Sequence, residues 1–164
     1  MEDRIQLLQR MPIFGAIQPQ ALEILMRRAA EVQVPAGAHF FREGDAADAM
    51  FVLESGRVAV LKRRDGVDHH LQDLAAGDCF GEMALIDMFP RSASVIARED
   101  CSAIRLTNAD LYRVYQANLE QFALIHMNIA RELSRRLRIA NERLFEVERE
   151  PERRARGAAE FTSG

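Results

Sequence analysis

Short strand-forming runs separated by glycine-containing turns occupy the middle of the chain, from Val32 to Thr107. The turn sequences are Pro35-Ala36-Gly37, Glu43-Gly44-Asp45, Ser55-Gly56, Arg64-Asp65-Gly66 and Ala76-Gly77-Asp78. Apolar or alternating runs such as Phe51-Val52-Leu53 and Val58-Ala59-Val60-Leu61 lie between these turns. Short strands joined by turns at this spacing are typical of antiparallel barrels and sandwiches. The sequence therefore predicts an antiparallel jelly-roll β-barrel over residues 32–107.

An N-terminal helical segment over residues 1–31 precedes the predicted barrel. Its first helix ends before Pro12, because the residue before a proline disfavours helical backbone. Its second helix begins at Gln18-Pro19, where a proline suits the first helical turn. With helices on both sides of the barrel, the predicted fold is mainly β with flanking helices (α+β).

C-terminal helices are predicted over residues 108–149. Thr107 and Asp110 fit a capping box that starts a short helix, and a long helix follows from about residue 119. The long helix carries an apolar seam at Ala130, Leu133, Leu137, Ala140, Leu144 and Val147. This seam favours a homodimer through the long helix, although it is too short to establish a coiled coil. Pro151 and the charged composition of residues 150–164 predict a disordered tail.

One stretch inside the predicted barrel combines a glycine, a short helical turn and an arginine. Gly81 has no side chain to block the close approach of a ligand. The turn that follows, Glu82-Met83-Ala84-Leu85, would direct amide N–H groups toward an anion. Arg91 adds a planar guanidinium that can hold two phosphate oxygens at once. These groups predict a phosphate site.

Two further polar side chains of this stretch suit a sugar phosphate. Ser92 offers a hydroxyl donor beside Arg91. Glu82, when ionised, can only accept hydrogen bonds, so it suits a sugar hydroxyl and not a phosphate. Together the groups indicate a ribose phosphate.

The complete stretch is Phe80-Gly81-Glu82-Met83-Ala84-Leu85, a short gap, and Pro90-Arg91-Ser92-Ala93-Ser94-Val95. It resembles the phosphate-binding cassette of cyclic nucleotide-binding domains, which occur in the catabolite activator protein family, kinase regulatory subunits and cyclic nucleotide-gated channels. The resemblance implies that Arg91 binds the cyclic phosphate and that Glu82 binds the ribose 2′-hydroxyl. It also implies that Ser92 and the backbone of Gly81, Met83 and Ala84 complete the cradle. By the same analogy the long helix acts as a lid, with Asn141 facing the purine.

The function implied is a receptor or regulatory module for cAMP or cGMP, in which ligand binding repositions the C-terminal helix to signal to a partner. A downstream protein effector would receive that signal. Fifteen residues after the long helix are too few for a winged helix-turn-helix, so no direct DNA binding is expected. An alternative left open is a ligand-free jelly-roll module for interaction or dimerisation, in which Glu82 and Arg91 form an internal ion pair.

Composition restricts other functions. A net charge of −3 and a pI near 5.8 argue against a surface that binds nucleic acid in general. The chain has two cysteines, too few for a disulfide scaffold, and no apolar run of membrane-spanning length, so we expect a cytoplasmic protein with buried thiols. Its four histidines lack the spacing of a shared metal site, so no metal is expected. An arginine and amides bind anions but generate no nucleophile, and we therefore expect no enzyme activity.

Overall fold

The computed structural model describes residues 2–161, with side chains described for residues 4–147. The chain divides into two compact units, residues 1–128 and residues 129–164, and each is considered by itself. The first unit contains every strand described and all helices up to the start of the last one. The described part of the second unit is the remainder of that last helix.

Two short helices and a 3-10 turn open the first unit. They are α1 (Glu2–Gln9), the turn Pro12–Phe14 and α2 (Pro19–Met26). Pro19 occupies the first turn of α2, as predicted, because its missing N–H would have no partner there in any case. Leu22 and Leu25 of α2 are fully buried, so the helix presents its apolar face to the core.

Eight strands follow: β1 (Ala30–Val34), β2 (His39–Phe41), β3 (Ala49–Ser55), β4 (Arg57–Arg64), β5 (Val67–Ala75), β6 (Cys79–Phe80), β7 (Ser94–Ala97) and β8 (Cys101–Thr107). They form two four-stranded sheets with strand orders β1-β8-β3-β6 and β2-β7-β4-β5. All pairs within the sheets are antiparallel. This arrangement confirms the predicted jelly roll and the mainly β fold with flanking helices.

The core that positions the site contains side chains from both sheets. Phe51, Leu53 and Ala103 come from one sheet, and Val58 and Val95 come from the other. Each is at most 7% exposed, so the strands that carry the cassette are anchored in a well-buried apolar core. Burial of apolar side chains of this size is the main force that holds such sheets together.

A short helix and a long helix follow β8. They are α3 (Asn108–Ala117) and α4 (Leu119–Phe161). The predicted capping box is present: the Asp110 amide donates to Thr107 Oγ1 at 3.2 Å, and the Thr107 amide donates to Asp110 Oδ2 at 2.7 Å. The Gln121 amide donates to Asn118 Oδ1 at 3.1 Å, so Asn118 caps the start of α4. These two caps define where α3 and α4 begin after the last strand of the barrel.

Substitution of Thr107 by alanine should lower the free energy of unfolding by about 1 kcal/mol, because the α3 capping bond from the Asp110 amide is lost. Urea denaturation followed by circular dichroism measures this change. Thr107→Ser keeps the hydroxyl and serves as the matched control, with a midpoint near that of the unchanged chain. Equal midpoints for the alanine variant and the unchanged chain would contradict the capping role.

The last helix extends further than the sequence analysis predicted. We expected it to end at about residue 149, whereas the backbone of α4 continues past Pro151 to Phe161. Alanine, arginine and glutamate predominate over residues 152–160, and their high helix propensity accounts for the continuation. Residues 162–164 of the predicted tail lie outside the described residues, and the disorder expected of residues 150–164 in solution stays a prediction.

Candidate functional site

A glycine in the left-handed conformation starts the cassette. Gly81 directly follows β6 and has φ 78° and ψ 14°, a region that side-chain-bearing residues adopt only with strain. The 3-10 turn Glu82–Leu85 begins immediately after it. Glu82 and Ala84 are buried, while Met83 is 44% exposed. The predicted turn therefore exists, and Gly81 lets the chain leave β6 and enter it without a steric clash.

The Arg91 side chain is buried beside this turn and is only 7% exposed. Its Nη2 donates to the Ala49 carbonyl at 2.7 Å, and its Nη1 donates to the Gly81 carbonyl at 3.4 Å. The guanidinium carbon lies 4.0 Å from the centre of the Phe41 ring, a cation–π contact. Arg91 Nε is buried and has no hydrogen-bond partner among the described residues. The structure thus brings Arg91 and Gly81 together, as the cassette pattern predicts.

The charge of Arg91 is not neutralised by a direct contact. Its guanidinium forms no ion pair with a carboxylate of the described residues, and Asp48, Asp45 and Glu82 act on it only over longer distances. Burial is the main cause that lowers the pKa of Arg91, although an arginine stays protonated under ordinary conditions. The internal Glu82–Arg91 ion pair of the ligand-free alternative is therefore not formed here.

The backbone at Arg91 is tied to the turn between β2 and β3. The Arg91 amide donates to the Asp45 carbonyl at 2.8 Å, and the Gly44 amide donates to the Arg91 carbonyl at 2.9 Å. Lys62 Nζ donates to the next carbonyl, that of Ser92, at 2.7 Å. These bonds hold the backbone of Arg91 and Ser92 just before β7, so the barrel fixes the direction in which the Arg91 side chain leaves the main chain.

The remaining predicted site residues differ in their surroundings. The Ala84 amide donates to the Gly81 carbonyl at 3.1 Å, so it is used within the turn and would reach an anion only through a shared bond. Ser92 is exposed, with Oγ 4.0 Å from Met83 Sδ. Asn141 is an exposed residue of α4 in the second unit. Its predicted contact with a purine stays a prediction.

Sequence reasoning missed three residues that hold the cassette: Phe41 under the guanidinium, the Ala49 carbonyl that accepts from it, and Lys62. A main-chain carbonyl carries no signal in the residue type, so Ala49 could not have been found. Phe41 ends a strand close to the glycine turn at residue 44, but only the pairing of β2 with β7 brings it to Arg91.

Residues 31–118 match the family model described as Cyclic nucleotide-binding domain, and this match covers more than half of the chain. The chain belongs to the cyclic nucleotide-binding domain family. As the resemblance implied, the matched residues include the whole cassette from Phe80 to Val95.

Relatives of this cyclic nucleotide-binding domain include receptors and regulatory subunits. The Cyclic AMP receptor protein of Thermus thermophilus is 32% identical over 131 residues, which cover 79% of this chain and 59% of that protein. The cAMP-dependent protein kinase regulatory subunit of Aspergillus niger is 33% identical over 99 residues, 60% of this chain and 24% of that protein. The crystal structure of the Thermus thermophilus Catabolite Activator Protein superposes with a TM-score of 0.74 at 30% identity, over 84% of this chain and 63% of that one. The domain spans well under two thirds of the length of these curated relatives.

Two further properties of the described residues bear on other functions. No group of three or more histidine, cysteine, aspartate or glutamate side chains in the described part of the domain could hold a metal ion. Among the described helices, none has the length and apolar character needed to cross a membrane. Both cysteines, Cys79 and Cys101, are buried free thiols, as predicted.

Proposed function

We propose that this domain is a receptor for a cyclic nucleotide, cAMP or cGMP, whose binding repositions α4 and thereby signals to a partner. The observation that carries the proposal is the buried Arg91 guanidinium, which lies beside the Gly81 turn and pairs with no carboxylate of the described residues. Burying a cation without a counter-ion is costly unless a ligand supplies the negative charge. A cyclic phosphate would supply it.

In the proposed complex, different residues bind the phosphate, the ribose and the purine of the ligand. Arg91 would hold the phosphate, together with the Ser92 hydroxyl and the amides of Gly81, Met83 and Ala84. Glu82 would accept a hydrogen bond from the ribose 2′-hydroxyl, which is the role left to a carboxylate. Asn141 on α4 would donate to and accept from the purine edge, so that the ligand favours one position of the helix over another.

A ligand that binds only the folded domain must raise its unfolding midpoint, so cAMP or cGMP is expected to do so. At a concentration one hundred times the dissociation constant the gain is about 2.7 kcal/mol. Thermal unfolding with each nucleotide, followed by calorimetric titration of both, measures the effect and the preference. Adenosine, which has the base and sugar but no phosphate, is the control. Unchanged midpoints with both cyclic nucleotides would instead support the ligand-free interaction module.

The proposed role is binding and not catalysis. Arg91 and backbone amides stabilise an anion, but neither group activates a water molecule or forms a covalent intermediate. The names of the relatives, a receptor protein and a kinase regulatory subunit, agree with a regulatory role. A cytoplasmic location and a protein effector are parts of the same proposal.

We further propose that the domain forms a homodimer through α4. The apolar seam on this helix includes Leu137, Leu144 and Val147, which are 61%, 58% and 64% exposed. Large apolar side chains repeated at steps of three and four along one helix are typical of helix–helix interfaces.

Leu137→Glu combined with Leu144→Glu should convert the dimer to a monomer, because charges in the seam cannot be buried against a second helix. Sedimentation velocity of the full chain measures the mass. Arg138→Glu changes an exposed residue outside the seam of the same helix and should leave the dimer intact. A monomeric unchanged chain would contradict the proposed dimer.

A further inference from the structure

A cleft lies between α2 and α3 and shares no residue with the cassette. Its volume is about 320 Å³, and it is lined by Ile24, Arg27, Arg113, Gln116 and Ala117. All five residues belong to the first unit. A cleft of this size is within the range that accommodates small organic ligands.

The two arginines that line this cleft carry more positive charge than the one carboxylate that pairs with Arg113 can balance. Arg27 is exposed and forms no ion pair with a carboxylate of the described residues. Arg113 Nη2 donates to Asp110 Oδ1, but Arg113 Nε is buried and has no hydrogen-bond partner in the described part of the chain. Asp110 cannot take on more donors easily, because its other oxygen already accepts from the amide and the hydroxyl of Thr107. Asp110 therefore balances the charge of Arg113, and Arg27 adds a second positive charge to the cleft.

The remaining walls complement this charge. Ile24 and Ala117 offer an apolar surface, and the Gln116 amide can both donate and accept hydrogen bonds. We infer that the α2–α3 cleft binds a small organic anion, with an anionic head between Arg27 and Arg113 and an apolar body against Ile24 and Ala117. A planar carboxylate matches the guanidinium fork and would supply the missing charge.

Binding in this cleft would connect α2 to α3 directly. Arg27 caps the C-terminal end of α2, and Arg113 lies in the middle of α3. An anion held by both side chains adds a bridge between two helices that are otherwise joined by packing. The inference is independent of the cyclic nucleotide proposal, since it uses none of the cassette residues.

Titration of the full chain with benzoate, followed by ¹H–¹⁵N NMR, tests the inference. We expect saturable shifts of the arginine Nε–H signals and of α2 and α3 amides. Benzamidinium has the same ring with a positive head and should cause no such shifts. Arg27→Gln should weaken benzoate binding about tenfold or more, because it removes a charge-assisted bond without disturbing an ion pair. Arg28→Gln, a neighbouring exposed arginine outside the cleft, should leave binding unchanged.

Three comparisons decide the outcome. Arg113→Gln should also weaken benzoate binding. If Arg113→Gln unfolds because Asp110 loses its partner, Arg27→Gln still tests the inference. Phenyl phosphate in place of benzoate distinguishes a phosphate head from a carboxylate head, and saturable binding of either one at the cleft supports the inference. Arg91→Ala should bind benzoate as the unchanged chain does. Equal affinities in Arg27→Gln and Arg28→Gln, or loss of benzoate binding in Arg91→Ala, would overturn the inference.

Discussion

Replacement of Arg91 by alanine is expected to lower the affinity for a cyclic nucleotide by about thirtyfold or more. The guanidinium is the group in the cassette that carries a full positive charge, and it is only 7% exposed. Truncation of one partner of a buried charge pair typically costs about 2–5 kcal/mol, and about 1.4 kcal/mol corresponds to each factor of ten. Calorimetric titration with cAMP and with cGMP measures the loss.

A matched control separates this effect from a general loss of charge. Arg98→Ala removes an exposed arginine that follows β7 and should leave the affinity unchanged. The unfolding midpoint without ligand must also be recorded, because Arg91→Ala deletes the hydrogen bond to the Ala49 carbonyl. Glu82→Gln should weaken binding less, since an amide oxygen still accepts one bond. Unchanged binding of both nucleotides in folded Arg91→Ala would remove the phosphate role from this residue.

Substitution of Gly81 by alanine is expected to reduce the affinity by about tenfold or more through displacement of the same guanidinium, a factor that corresponds to about 1.4 kcal/mol. A Cβ at this position would lie 2.6 Å from Arg91 Nη1 and 3.3 Å from the Ala49 carbonyl. The guanidinium can move only by giving up its bonds and its place over the Phe41 ring. The left-handed backbone of Gly81 adds strain of about 1–2 kcal/mol in an alanine variant.

Gly66→Ala isolates the backbone strain from the collision. Gly66 has φ 79°, almost the same as Gly81, but a Cβ there meets no atom within 4 Å. Both variants should therefore unfold at a lower temperature, while only Gly81→Ala should lose affinity for the nucleotide. Thermal unfolding and calorimetry of the pair measure the two quantities separately. An equal loss of affinity in both variants would mean that strain, and not contact with Arg91, controls the site.

The barrel could be predicted because its signals are local. Glycine turns such as Gly37 and Gly66 adopt positive φ, and apolar strand-forming runs such as Phe51-Val52-Leu53 lie between them. The capping box at Thr107 and Asp110 was predictable for the same reason, since both partners lie within one helical turn. The cassette from Phe80 to Val95 combines a local turn with an arginine, and its pattern predicted that Gly81 and Arg91 lie together.

Contacts between distant segments could not be predicted in the same way. Phe41 and Ala49 reach Arg91 only through the pairing of β2 with β7 and the path of β3, and neither residue type indicates an anion site. The predicted end of α4 at about residue 149 was wrong, because the high helix propensity of residues 152–160 outweighs the helix-breaking effect of Pro151. The cleft between α2 and α3 also went unnoticed, since Arg27 and Arg113 are 86 positions apart in the sequence.

Arg91 pairs with no carboxylate of residues 4–147, and this has a consequence for the molecules that the proposed site would bind. Main-chain carbonyls and an aromatic ring solvate the guanidinium but give it no opposite charge. An uncharged nucleoside would leave that imbalance in place, however well its base and sugar fitted. The site would then select ligands first by their negative charge, and the fit of base and sugar would distinguish only among anionic ligands.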